Sequence, residues 1–294
     1  MEKSNFIFPS CNLKSLARRK FLMYFYSLWS IASFGQGNLE ESKQELKQGD
    51  SLSQNQKEST QINNDTSASR DFLGRLVLAV TVYSAIGKYR TEAHLHSTLS
   101  PYPYYENLFG NYRDRRMPNT SSLTRRLDIE NQILIGDFGQ YGNQFKLTVR
   151  PFHYAYSQFD LISMLEGKEF GNQNAELLTR YRLSLCYDRL RFQRFNLGWN
   201  IGANYITSGI NEAGISLGLK SEFFLFKPVS FYSAINWSSI NGVSLRDIET
   251  QCRIHLVAFY GLIGYRSIKI NSSVFHYYAF GAGVYLHQTR ERRL

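Results

Sequence analysis

Cysteine is scarce in this chain: three in 294 residues, Cys11, Cys186 and Cys252. Three cannot form a disulfide framework, and their spacing matches no metal-binding pattern. In the strand register developed below, Cys186 and Cys252 fall on opposite faces, so no bridge between them is expected. A run of ~20 uninterrupted apolar residues, the length a spanning helix needs, is missing as well. With a mean hydropathy of -0.34, the chain is too polar for a bundle of membrane helices. Nor is there a concentrated basic stripe. The formal charge is +10, of which residues 1–35 supply +4, and the remaining +6 is dispersed along predicted strands. That distribution leaves no nucleic-acid footprint.

What the chain has in quantity is aromatic residues, 15% of the total, mainly 20 Tyr and 21 Phe. Aromatic girdles at the two lipid–water interfaces of a membrane barrel are one physical source of that bias. Near the start, the basic patch Lys14–Lys20 precedes the apolar run Phe21–Phe34, which ends in Ser33-Phe34-Gly35. This order predicts an export signal over residues 1–35, cleaved after Gly35. The stretch ahead of Lys14 is long for a signal and suggests a start codon further downstream. Residues 36–70 are polar and predicted to be a disordered leader, since they bury too little to offset ordering entropy.

Alternation with period two then marks strands. In Leu177–Asp188, Thr179, Tyr181, Leu183, Leu185 and Tyr187 oppose Arg180, Arg182, Ser184 and Asp188. Trp199, Ile201, Ala203 and Tyr205 oppose Gly198, Asn200, Gly202 and Asn204. Similar patterns run through Gln144–Ser157, Ile215–Leu225, Val229–Ser238 and Asp247–Leu256, while Phe259–Ile268 is apolar with poorer alternation. In the last strand, Ser273–Leu286, the face carrying Tyr278, Phe280, Ala282, Val284 and Leu286 is apolar, and the other, with Ala279, Gly281 and Gly283, reads as small. Such dyads suit a barrel with lipid outside and a polar lumen inside.

Turn parity sets the order. Tight turns near Tyr141–Asn143, Gln193–Arg194, Lys227–Pro228 and Val257–Ala258 read as periplasmic, whereas Phe159–Ala175, Thr207–Glu212, Asn241–Leu245 and Lys269–Ser272 read as external. Leu127–Phe138 then becomes a descending strand with Phe72–Ile86 as its ascending partner. The prediction is an all-β, up-and-down antiparallel transmembrane β-barrel over residues 71–286, with about ten strands, or eight if the first pair is not part of it. A basic tail, residues 287–294, follows. Closure satisfies every backbone polar group and leaves no free edge.

The run from Leu177 to the Gly281–Leu286 ending resembles small outer-membrane barrel proteins of Gram-negative bacteria, over about two-thirds of the chain. The Val284-Tyr285-Leu286 ending and the Gln after the signal look most like those of the Bacteroidota. The resemblance implies outer-membrane localisation, contact with outer-membrane lipid and recognition by the barrel insertion machinery. It carries no catalytic motif, and the chain departs from it by continuing beyond Leu286.

The predicted lumen charges are Lys146, Arg150, Arg180, Arg182, Asp188, Lys220, Glu222, Asp247, Glu249 and Arg253. Mixed signs at this density predict a lumen filled by ion pairs, because an unpaired ion there is costly. A selective pore or ligand-binding cavity is the alternative. Tyr102, Tyr104, Tyr105, Tyr112 and Arg113 are placed in an external contact loop, residues 87–126, suited to a glycan or protein partner. His94 and His96 fall on one predicted strand face, but no third ligand accompanies them. No cofactor, metal or catalytic residue is expected. The predicted role is structural or surface-interacting, ahead of a transport barrel, a lipid hydrolase or a secreted soluble barrel.

Overall fold

A computed structural model describes residues 38–53, 85–114, 123–137, 139–167, 176–207 and 209–290. All belong to the second of two compact units, Gln36–Leu294. The predicted signal peptide lies outside the described residues. So does Phe72–Ile86 apart from its last two residues, Ala85 and Ile86, which are helical.

Chain order runs from helix α1 (Leu39–Ser53) to the two-residue strands β1 (Thr98–Leu99) and β2 (Tyr112–Arg113). Ten long strands follow: β3 (Leu123–Gly136), β4 (Gln140–Arg150), β5 (Ala155–Glu166), β6 (Glu176–Arg191) and β7 (Phe195–Ile206), then β8 (Glu212–Phe226), β9 (Val229–Ile240), β10 (Val243–Leu256), β11 (Phe259–Ile270) and β12 (Ser273–Arg290). Neighbours pair antiparallel, and β12 closes on β3 with Phe280 opposite Ile133 and Leu286 opposite Leu127. The closed ten-stranded barrel is thus present, but its membership differs from expectation.

The stretch Gln144–Ser157 is not one strand. Pro151 has no N–H to give a ladder, and the chain turns over residues 151–154 before β5 begins. The predicted external segment Phe159–Ala175 therefore contains most of β5. Alternation is present there, with Asp160, Ile162 and Met164 inside and Phe159, Leu161 and Leu165 facing out. Both faces carry apolar residues, which blurs the period-two contrast. The missed β5 takes the place in the count that Phe72–Ile86 was expected to fill. In consequence β3 runs opposite to its predicted direction, and Tyr141–Asn143 lies within β4 rather than in a turn.

The barrel has two distinct mouths. One carries the start of β3, the end of β12 and the turns at 151–154, 192–194, 227–228 and 257–258. At the opposite mouth α1 is seated, contrary to the expectation of a disordered leader there. Asn38 Oδ1 accepts the Glu40 N–H at 2.9 Å, starting the helix. Leu39, Ser42 and Leu46 fall on one face and are buried against Leu134, Ile162, Leu178, Ile206 and Ile268. The Leu39 N–H donates to Glu166 Oε2 at 2.8 Å, Asn241 Nδ2 donates to the Leu46 carbonyl at 2.8 Å, and Lys43 pairs with Glu176.

Strand β12 also continues past Leu286. Gln288, Thr289 and Arg290 pair with Arg125, Thr124 and Leu123, so the start of the predicted tail is strand. Its inner face is not uniformly small, because Phe275, Tyr277 and Tyr285 point inward and are buried.

Candidate functional site

Alternation turns one side chain in two toward the lumen, and the middle and terminal thirds of that space are polar. Arg180 and Arg266 are 1% and 0% exposed, whereas Leu185 and Ile215 on the outer face are 64% and 70% exposed. All ten predicted lumen residues project inward.

All of them but Lys220 join, with further acids and bases, in three linked groups. Asp247 accepts from Arg180 and Arg266, the latter at 2.6 Å, with Arg182 at 3.5 Å, and Arg182 also pairs with Asp160 at 2.9 Å. Glu130 takes Lys146 at 3.0 Å, Arg253 at 2.8 Å and the Tyr260 hydroxyl at 2.6 Å, while Glu249 takes Lys146 at 2.9 Å. Toward the terminal mouth, Asp188 accepts from Arg150 at 3.0 Å, from the Tyr156 hydroxyl at 2.9 Å and from Tyr112. A bulge beside Asp188 shifts the register of β6 against β7 there. Asp128 holds Arg126 through two bonds, at 2.7 and 3.0 Å. Breaking such buried pairs singly leaves a stranded charge.

Sequence reasoning missed Arg126, Asp128, Glu130, Asp160 and Arg266. Asp160 lay in the stretch read as a loop, and Arg266 in a strand with poor alternation. Arg126, Asp128, Glu130 and Gln132 do recur at period two, which was the usable signal.

Gly283 shows how tightly this interior is shaped. A Cβ there would run into the Tyr260 ring, whereas one at Gly261 on the outer face meets nothing within 4 Å. Gly283→Val is expected to cost ~1–3 kcal/mol by overpacking. Gly261→Val is the control and should leave the urea unfolding midpoint unchanged.

The segment 85–114 corrects the predicted external loop. Its first residues lie against the outer wall beside the rim of the terminal mouth, the one bearing the tight turns, and residues 98–113 pack into that mouth. Trp199 Nε1 donates to the Ala85 carbonyl at 2.9 Å, and the Tyr187 hydroxyl to that of Ile86 at 2.8 Å. Tyr112 is fully buried on Asp188, Tyr104 donates to the Val229 carbonyl, and Asn111 Nδ2 donates to Glu222 at 2.6 Å. Arg113 is buried with its guanidinium 4.3 Å from the Tyr105 ring, and Tyr102 packs edge-on to Tyr105 at 5.1 Å. Gly110 (φ +77°) passes so close to the Gln193 carbonyl that no side chain fits. Tyr112 and Tyr104 turn inward to Asp188 and the Val229 carbonyl, while Arg113 bonds Ser100 and Glu106 of its own segment.

His94 and His96 belong to a 3₁₀ turn rather than a strand. His94 lies 4.6 Å from the Phe192 ring, and burial there pushes its pKa down despite nearby Glu92. A hydrogen bond from Arg189 holds Glu92 below the usual carboxylate value. Among the described residues no group of three His, Cys, Asp or Glu side chains could hold a metal. A buried Ser230–His255 contact of 2.7 Å was not anticipated. Its neighbouring acid, Glu222, bonds the serine rather than the histidine, which is not the order of a hydrolytic triad.

No family model and no curated protein sequence matches the chain. Among solved structures it is similar to Ail, the attachment invasion locus protein of Yersinia pestis, at 12% identity over 56% of this chain and 99% of that one, with a TM-score of 0.28. A major outer membrane protein from Thermus thermophilus matches at 11% over 55% and 99%, TM-score 0.27. Neisserial surface protein A matches at 15% over 57% and 97%, TM-score 0.25. Scores at that level carry no functional argument. The barrel rests on its own strand pairing.

Proposed function

We propose that this chain is an outer-membrane β-barrel of a Gram-negative bacterium with a structural role and a filled lumen. The observation that carries this reading is the inversion of the usual arrangement: paired charges inside, an apolar surface outside. Leu183, Leu185, Ile201, Ile215, Leu217 and Ile263 are all exposed on the outer wall. Water-soluble monomers rarely leave so continuous an apolar surface uncovered. Each tight turn of the terminal mouth has an exposed Phe in it or within two residues of it: Phe152, Phe192, Phe226 and Phe259. Tyr141 and Tyr205 are exposed near the opposite mouth. Aromatic rims of this kind fit the two interfaces of a bilayer.

The filled lumen supports a structural role over transport. The α1 helix occupies one mouth and residues 98–113 the other, with the ion-pair layers between. Surface contact, in this reading, falls to α1 and its surrounding turns. Planar-bilayer recording of the folded, heat-modifiable protein tests the proposal. Only brief or absent current is expected, and a steady open channel would establish the pore reading instead. Identical gel mobility before and after boiling, together with extraction by urea, would remove the membrane assignment.

A further inference from the structure

We propose that the barrel encloses a binding site for one small monovalent anion of halide size, beside Lys220. Lys220 is 8% exposed, and its ammonium group has no hydrogen-bond partner among the described residues. It lines a cavity of about 50 Å³ bounded also by Arg126, Arg150, Tyr156, Arg253 and Asn111. A single water needs roughly 10–15 Å³ of such space, so there is room for an anion with a water or two.

Charge balance points the same way. Nine cations enter the lumen from the strands: Arg126, Lys146, Arg150, Arg180, Arg182, Arg191, Lys220, Arg253 and Arg266. They face ten strand carboxylates, three of which (Glu166, Glu176 and Glu212) lie at the α1 mouth; around the cavity itself five cations, Arg126, Lys146, Arg150, Lys220 and Arg253, meet only three acids, Asp128, Glu130 and Glu222. Seven of the cations have a carboxylate within ion-pair distance. The two without one among the described residues are Arg191 and Lys220. Arg191 lies at the rim, donates to the Tyr89 hydroxyl at 3.3 Å and sits among three tyrosine rings. Among the described residues, Lys220 has only the Tyr156 ring in direct contact with its nitrogen, at 3.9 Å.

An ammonium group closed in low dielectric needs a counter-charge or must lose its proton. The acids that line the cavity are already engaged. Asp128 holds Arg126, Glu130 holds Arg253 and Lys146, and Glu222 accepts from Asn111 and Ser230. A mobile anion supplies the missing charge. Lys220 and Arg150 are the groups placed to hold it, and Asn111 gives the plug segment a wall of the same cavity.

The test uses the folded, full-length chain crystallised with bromide replacing chloride. Diffraction at the bromine edge should show an anomalous peak against Lys220 Nζ. In parallel, chloride at ten times its dissociation constant should raise the wild-type folding equilibrium constant about elevenfold over gluconate at equal ionic strength. In Lys220→Met that chloride dependence should vanish. A cavity without a bromine signal, or wild-type folding indifferent to chloride, would overturn the proposal and leave Lys220 a neutral amine beside water. Should Lys220→Met fail to fold, the bromide experiment on the wild type still decides the question.

Discussion

Asp247→Asn is expected to cost ~3–5 kcal/mol of barrel stability, the usual penalty for removing one partner of a buried ion network. Asp247 is fully buried and is the carboxylate shared by Arg180, Arg182 and Arg266. Arg182 keeps Asp160 at 2.9 Å. Arg266 keeps the Gln144 amide oxygen and, among acids, only the distant Glu249 at 3.8 Å, and Arg180 loses its sole acidic partner among the described residues. The amide preserves shape and some hydrogen bonding but not charge, so the loss reports electrostatics rather than packing. Urea unfolding in lipid vesicles, followed by heat-modifiable mobility, measures it. A change below about 1 kcal/mol would mean that the three guanidiniums reach water in the native barrel. Replacing Asp247 and Arg180 together by Leu should recover part of the loss, since matched apolar replacement of buried pairs is often neutral.

The second large effect lies on the opposite face. Leu183 and Leu217, 59% and 55% exposed, sit near the middle of β6 and β8 and point away from the lumen. Near the midplane of a bilayer, an Arg on the lipid face of a barrel costs ~2–4 kcal/mol. Leu183→Arg with Leu217→Arg should therefore largely abolish assembly into vesicles. In a water-soluble barrel the same pair would be harmless or would improve solubility, so the sign of the effect distinguishes the two. Efficient folding of the double variant in vesicles would contradict the lipid-facing assignment.

Much of the wall was legible because its signal is local. From β6 to β10, inward Arg, Asn, Lys and Glu residues face outward Leu, Ile, Tyr and Trp, and the alternation survives any detail of packing. Legibility failed where that contrast weakened. In β5 the inner face itself turns apolar at Ile162 and Met164, because it lines the mouth that α1 fills. The apolar inner face of that mouth cannot be told from an outer face without knowing where the helix sits. Phe72–Ile86, almost all of it outside the described residues, was assigned the place in the wall that β5 occupies.

The candidate site divides along the same line. That Arg180, Arg182, Asp247 and Glu249 share an interior follows from strand parity. Which acid each cation meets does not, since Arg180 and Asp247 lie on β6 and β10 and touch only across the lumen.

By itself, then, the sequence determined the period-two faces, the tight turns at Gln193–Arg194, Lys227–Pro228 and Val257–Ala258, and a charged interior. These depend on a few neighbouring residues and on the geometry of an extended chain. Only the tertiary structure decided that β12 closes on β3, that α1 stops one mouth, and that residues 98–113 stop the other. It also decided that the Lys220 ammonium lines the cavity with no hydrogen-bonding partner among the described residues. Each of those is a relation between segments far apart in the chain, set by closure of the barrel, and no local pattern encodes it.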